Sequence, residues 1–524
     1  MNILLVLNSK ITSTEINTYY SFPNHTVTVF RTPPLNGKKK LSSTAIKQHF
    51  SSVVYPYIES KNINYLGICD AEYFKVIHKT TKPDTCIGYV FDRINYKYFY
   101  LPSCKSIFYH PEETKDKIAR SIAAVLNDIN NCYTEPGTNI IKYEEYPDTP
   151  IKIKASLNKL LSYPALTCDI ETYSLRHTEA GLGSICFCWN EHEGIAFKID
   201  PNQRIRLILK EFFDNYKGTL IFHNIAFDVT VLIYQLYMKD VLDTEGLLKG
   251  LDTLLKNWED TKLITYLCTN SCSGNNLSLK YQAQEFAGNW AQEEIGNIKK
   301  ISDEQLLRYN LIDGLSTWFV YNKYKDKLIQ DKQDKLYNTI FKGTTKDIIQ
   351  MQLTGIPLNM DKVLEAEEVL NADKQKAINI LLQNQYIKLY TKQLKDAWAD
   401  EYNSTHVKKQ VTADDSPVEF NPNSGKQIKE LLYEIIKLPV INLTESKQPS
   451  TDGDTLKALI NHTENQAVKD ILQALIDYSA AEKILTAFIP AFKKAYKAKD
   501  GRSYLYGSFN LGGTVSGRLS SSKP

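Results

Sequence analysis

Apolar residues along this chain fall first in short bursts and later at helical spacing. Between residue 1 and about residue 150 the bursts are ILLVL, NYLGI, GYVF and YFYLP, set apart by polar stretches of loop length. Bursts of this length predict strands. One segment among them, KDKIARSIAAVLNDI, repeats its apolar residues every three or four positions and predicts a helix. NNCYTEPGTN then breaks the pattern with Pro and Gly and reads as a linker. Strands are expected again at ALTCDI, GSICFCWN, GIAFKI and GTLIFH, and helices from FDVTVLIYQLY to STWFVYNKYKDKL. From about 337 to 500 the pattern is that of long helices, such as KVLEAEEVLNADKQKAINILL and AVKDILQALIDYSAAEKILTAFI, with a polar loop at NLTESKQPSTDGDT. The closing stretch, RSYLYGSFNLGGTVSGR, returns to strand-like alternation with glycines.

These textures divide the chain into an α/β region at 1–150, a mixed region at 155–330, a helical region at 337–500 and a short end piece at 501–524. At 524 residues the chain is too long for one core and suggests several domains. Hydrophobic residues make up 43% and charged residues 23%, as in a soluble globular protein. No apolar run approaches the ~20 residues of a membrane span, and the start MNILLVLNSK lacks the basic flank of a signal peptide. Nine cysteines lie scattered, the nearest pairs being Cys186/Cys188 and Cys268/Cys272, and none has partners at zinc spacing; reduced thiols are expected. A net charge of +3 names no partner. Charge is uneven, however: Lys493, Lys494, Lys497, Lys499, Arg502, Arg518 and Lys523 near the end face only Asp500, which points to phosphate.

Carboxylates carry the candidate chemistry. In CDIET, Asp169 and Glu171 stand two apart on an expected strand, so period two sends both to one face. Two acids there repel each other unless a cation joins them. In LIFHNIAFDV, a strand runs into His223 and Asn224, with Asp228 at a helix start. In LLRYNLIDGLSTWFVY, Tyr309 and Asp313 are four apart on one helix and share a face. Four acids and a tyrosine suit hard divalent cations.

DIET, HNIAFD and YNLID resemble, in order, the three motifs of the proofreading 3′–5′ exonuclease superfamily. That resemblance implies a ribonuclease H-like fold for 155–330, with Asp169, Glu171, Asp228 and Asp313 holding two Mg²⁺ or Mn²⁺ ions and Tyr309 orienting the attacking water. It also places Thr172, Leu175 and Asn224 where the family contacts or wedges the terminal nucleotides. Further along, DIIQMQLTGIPLNMDKVLEAEEVL, FNPNSGKQIKELLYEIIKLPV, KQPSTDGDTLKALI and IDYSAAEKILTAFIPAF resemble successive parts of the thumb of family A DNA polymerases. TVSGRLSSSKP resembles the first polymerase signature of that family, which implies contact of Thr514, Arg518, Ser520 and Ser521 with duplex DNA. Family A palm aspartates and the fingers lysine follow this signature. The resemblance therefore implies a chain that edits and holds DNA, does not polymerise alone, and depends on a second polypeptide or a missing part for palm and fingers. Leu511, Val515 and Leu519 are then expected to lack the surface they cover.

The fold class expected is multidomain α/β plus α. Residues 1–150 faintly resemble uracil-DNA glycosylase-like folds around His110-Pro111, without a recognisable water-activating motif. The function expected is the proofreading part of a bacteriophage-type family A polymerase in the cytoplasm of an infected bacterium, with DNA as partner and no membrane. A stand-alone single-strand nuclease and a non-catalytic DNA-binding scaffold are the alternatives.

Overall fold

The computed structural model describes residues 1–8, 10–33, 40–269, 275–289, 298–406 and 410–522; Cys272 and Lys523 lie outside them. The chain forms two compact units. The first holds Met1–Thr354 and Phe509–Ser520, the second Gly355–Ser508 and Ser521–Pro524.

In the first unit the earliest strands are β1 (Asn2–Leu7), β2 (Thr26–Arg31), β3 (Tyr65–Ile68), β4 (Phe91–Asp92) and β5 (Lys97–Tyr100), in the order β2-β1-β3-β5-β4. All neighbours run parallel except β4, which is antiparallel to β5. Both faces are covered, so the strands read as unbroken apolar runs. Leu4, Val6, Leu66 and Ile68 point to one core. Ile3, Leu5, Leu7 and Phe99 point to the other, where helix Pro111–Ile129 contributes Ile118 and Val125. The expected strand at GYVF is confined to its last residue. Gly88 turns there with φ 82°, and the Val90 amide donates to the Tyr133 hydroxyl (3.2 Å). The segment read as a linker is packed: Pro136 carbonyl accepts from Tyr89 (3.2 Å).

A second sheet follows, built from β6 (Tyr143–Glu145), β7 (Ala165–Glu171), β8 (Ser184–Cys188), β9 (Glu193–Lys198), β10 (Thr219–Phe222) and β11 (Trp258–Asp260). Its order is β11-β10-β7-β8-β9-β6. It is mixed: β7 is parallel to β10 and antiparallel to β8. Period two sorts β8. Ile185 and Phe187 enter the core shared with Leu209, Phe212 and Leu232 of the helices Gln203–Asn215 and Ile225–Leu236. Cys186 and Cys188 meet Leu311 and Leu315 of the long helix Asp303–Gln330 on the other face. The sheet is therefore sandwiched between helices, with β7 near its middle. Eight cysteines are described; all are free, and all but Cys132 are buried.

Helix Lys342–Thr354, which the sequence pattern groups with the later helices, belongs to the first unit. Phe509–Ser520 returns to that unit as well. There Leu511 packs beside Leu263 and Tyr266, a surface the sequence does not foresee, whereas Val515 and Leu519 are exposed as expected.

In the second unit, helices Met360–Gln383, Gln385–Thr405 and Gln466–Lys483 enclose Leu381, Tyr390, Leu431, Leu459, Leu472 and Leu475. Strand Ile356–Leu358 pairs antiparallel with Ser503–Leu505. Among the described residues no helix is long and apolar enough to cross a membrane.

Candidate metal centre

The pleat of β7 sets Asp169 and Glu171 on one face, while Cys168 and Ile170 enter the core on the other. Helix Asp303–Gln330 lies against that acidic face. It comes this close because Gly314 carries no side chain: a Cβ there would stand 2.6 Å from the Cys186 sulfur and 2.8 Å from that of Cys188. The Thr167 hydroxyl donates to the Gly314 carbonyl (3.0 Å) and fixes the crossing. Asp313, one residue earlier, is thereby delivered to the strand.

Asp169, Glu171 and Asp313 each offer an oxygen, and these atoms lie within 4.8 Å of one another. Asp228 stands outside this group of three. It sits in the first turn of helix Ile225–Leu236, and its Oδ1 accepts from the Ile170 amide (3.2 Å), on the strand residue between the first two acids. Its charge is still felt at both Asp169 and Glu171.

Burial and mutual repulsion disfavour ionisation here. Burial, then the charges of Asp228, Asp313 and Glu171, hold the Asp169 carboxyl well above the usual carboxylate range, partly offset by the Asn310 amide. Burial, Asp313 and Asp228 push Glu171 up to about 8. Burial pushes Asp228 to about 8, against the pull of backbone N–H groups. Asp313 rises to about 6, burial being opposed by the Lys280 ammonium and by the Tyr309 hydroxyl. One oxygen of Asp313, Oδ1, is buried with no hydrogen-bond partner. A buried carboxylate oxygen without a donor, beside two further carboxylates, is the donor set a hard divalent cation takes. The residues present therefore fit a metal.

Tyr309 shares the face of Asp313, and its hydroxyl lowers the pKa of that carboxyl. Burial, then the charges of Asp313 and Glu171, push its phenol well above the ordinary range, so the hydroxyl keeps its proton. Asn224 has a left-handed backbone (φ 72°) at the head of helix Ile225–Leu236. Buried Asp260 fixes that turn, accepting from the amides of Asn224 (2.9 Å) and Ile225 (3.2 Å). The Thr172 hydroxyl donates to the Ser174 carbonyl (3.0 Å), and Leu175 in the same loop is 69% exposed. Thr514, whose hydroxyl donates to the Arg518 carbonyl (2.8 Å), shares a turn with Arg518. Arg518 and Ser521 are exposed and Ser520 half-buried. Among the described residues, these four share no hydrogen bond with the carboxylates.

Two side chains at the centre were not foreseen. Asn310 is fully buried and donates to Asp169 Oδ2 (2.7 Å), while accepting from Ser184 (3.0 Å). The ammonium of Lys280 lies 4.8 Å from the centre of the Tyr309 ring. Asn310 adjoins Tyr309 in YNLID, which was a usable signal; Lys280 carries none.

Residues 145–329 match the family model described as 3′–5′ exonuclease, and residues 388–524 the one described as DNA polymerase family A. Among curated proteins the chain is similar to "DNA polymerase I" of Borreliella burgdorferi, 26% identical over 76% of this chain and 38% of that protein. It is 24% identical to "DNA polymerase I" of Caldicellulosiruptor bescii over 65% of this chain and 32% of that one. It is 25% identical to the "DNA polymerase" of Escherichia phage T5 over 74% of this chain and 42% of the phage protein. The matches thus span well under half the length of these relatives.

Proposed function

We propose, from the match of residues 145–329 to the 3′–5′ exonuclease family model and of residues 388–524 to that of DNA polymerase family A, that the chain is the editing and DNA-holding part of a replicative viral polymerase, removing nucleotides from a single-stranded 3′ end. The observation that carries the reading is the meeting of Asp169, Glu171 and Asp313 around one point, with Tyr309 beside them.

Asp169, Glu171, Asp228 and Asp313 would hold two divalent ions, Mg²⁺ or Mn²⁺. Such ions, when bound, make water a nucleophile at neutral pH and neutralise the charge on the leaving oxygen. The rest falls to the chain. Asn310 holds the Asp169 carboxylate in one orientation. Tyr309 stays protonated beside Asp313 and presents a hydroxyl that lines up the attacking water. Thr172 and Asn224 contact the terminal nucleotides, and exposed Leu175 wedges between them. Thr514, Arg518, Ser520 and Ser521 contact the backbone of duplex DNA. For residues 1–150 the reading is a DNA-holding accessory domain, and for 337–500 a thumb.

The test is digestion of a labelled single-stranded oligonucleotide by the purified protein with Mg²⁺ or Mn²⁺ and with EDTA. Asp169→Ala combined with Glu171→Ala should lower the rate by several orders of magnitude, since the charge that recruits the cations is lost. A double variant as fast as the parent protein would sink the assignment.

A further inference from the structure

Helix Thr261–Cys268 presents two side chains, Lys262 and Tyr266, one turn apart on one face. Both hold the segment that carries the TVSGRLSS signature. The Tyr266 hydroxyl donates to the Thr514 carbonyl (2.9 Å), and its ring lies under Gly512, where a Cβ would stand 3.2 Å from Cγ. Gly512 has φ 79°, a left-handed conformation that favours glycine. The Lys262 ammonium donates to Asn510 Oδ1 (2.9 Å) and, at the same distance, to Asn224 Oδ1. One cation thus bridges the signature segment and the turn that opens the Asp228 helix.

An ammonium only donates. Both asparagine carbonyls must face it, which fixes which end of each amide points where. The Asn224 amino group is turned away from Lys262, and among the described residues it makes no hydrogen bond of its own. It is a double donor held ready for an acceptor.

We propose that Lys262 is a positioning residue of the nuclease site. It orients the Asn224 amide toward an acceptor on the 3′-terminal nucleotide, and it does so fully only while segment 509–518 is seated on helix Thr261–Cys268. The part of the chain assigned to gripping duplex DNA would then bear directly on how well the editing site takes a 3′ end. This rests on the reading of the site as an exonuclease with Asn224 at the nucleotide.

Steady-state digestion of a labelled single-stranded oligonucleotide with Mg²⁺ tests it. Lys262→Met should raise KM about five- to tenfold, as for loss of one hydrogen bond to substrate, with kcat within about twofold. Asn510→Ala should raise KM in the same sense but less. The double variant should be no worse than Lys262→Met alone, because both changes break one bridge. Lys262→Arg, still a donor to both carbonyls, should keep KM close to that of the parent. Independently of activity, amide hydrogen exchange of residues 509–518 should quicken in Lys262→Met. An unchanged KM in Lys262→Met, a loss confined to kcat, additive effects in the double variant, or exchange identical to the parent would each overturn the proposal. Failure of the nuclease reading is distinguishable: it appears as full activity in the Asp169→Ala, Glu171→Ala double variant, whatever Lys262 does.

Discussion

Single side chains at the metal centre divide into those that repel and those that restrain. Three acids crowd one point, and Asn310 is the neutral group that fixes one of them. Asn310→Ala would leave both Asp169 and the Ser184 hydroxyl without their buried partner, at a cost of about 2–4 kcal/mol in denaturant unfolding. Tyr309→Phe keeps the ring and its Lys280 neighbour but removes the hydroxyl. Its kcat should fall about 10- to 100-fold with KM little changed; a change confined to KM would contradict the water-orienting role. At this scale the sequence was informative only where a period or a motif spoke. Period two placed Asp169 and Glu171 on one face, and helical spacing placed Tyr309 with Asp313. Lys262 and Lys280 gave no signal, because each acts on a residue at least 29 positions away that only the folded chain brings near.

Elements deliver those side chains, and two contacts decide whether they do. The first is the crossing of helix Asp303–Gln330 over β8 at Gly314. Gly314→Ala improves helix propensity by about 1 kcal/mol, yet its methyl would meet two cysteine sulfurs. The net effect expected is a destabilisation of about 1–3 kcal/mol and a lower cleavage rate, since Asp313 moves with the helix. Unfolding and digestion assays on one variant check both. The second contact is the loop between β7 and β8. His177 there is buried against the Tyr234 ring, and its carbonyl accepts from Gln235 of the Asp228 helix (3.3 Å). Burial pulls its pKa from 6.5 to about 4. The unfolded chain therefore takes up a proton that the folded one refuses. Stability is full above 6.5 and is lost as pH falls toward about 4, at about 1.4 kcal/mol per pH unit. His177→Gln should flatten that slope in denaturation measured at several pH values. Elements also show what the pattern could reveal. Buried β7, β8, β9 and β10 were legible as apolar runs. Edge strands β2, β6 and β11 were not, since TVTVFR is half-exposed along its length and YEE and WED are short and carry acidic residues.

For the molecule as a whole, texture suggested successive regions along the chain but not their grouping into two units. Apolar spacing gives each helix its buried face without saying which neighbour covers it, so helix Lys342–Thr354 and segment 509–520 joined the first unit unannounced. The exposed Arg518 of that segment is expected to meet phosphate. Arg518→Ala should weaken duplex binding by about 1–3 kcal/mol and flatten its salt dependence, measured by titration at several ionic strengths; equal affinity and slope would remove Arg518 from the interface. The route of the chain has a further consequence. Residues 355–508 leave the first unit, the chain returns to it over 509–520 and then passes again to the second, so most of the second unit is an insertion between two stretches of the first. In polymer terms the length of a flexible loop is nearly free: doubling it costs only ~0.6 kcal/mol in closure entropy. Surface loops within the insertion can therefore be lengthened at little entropic cost, provided that the returning segment still finds Lys262 and Tyr266.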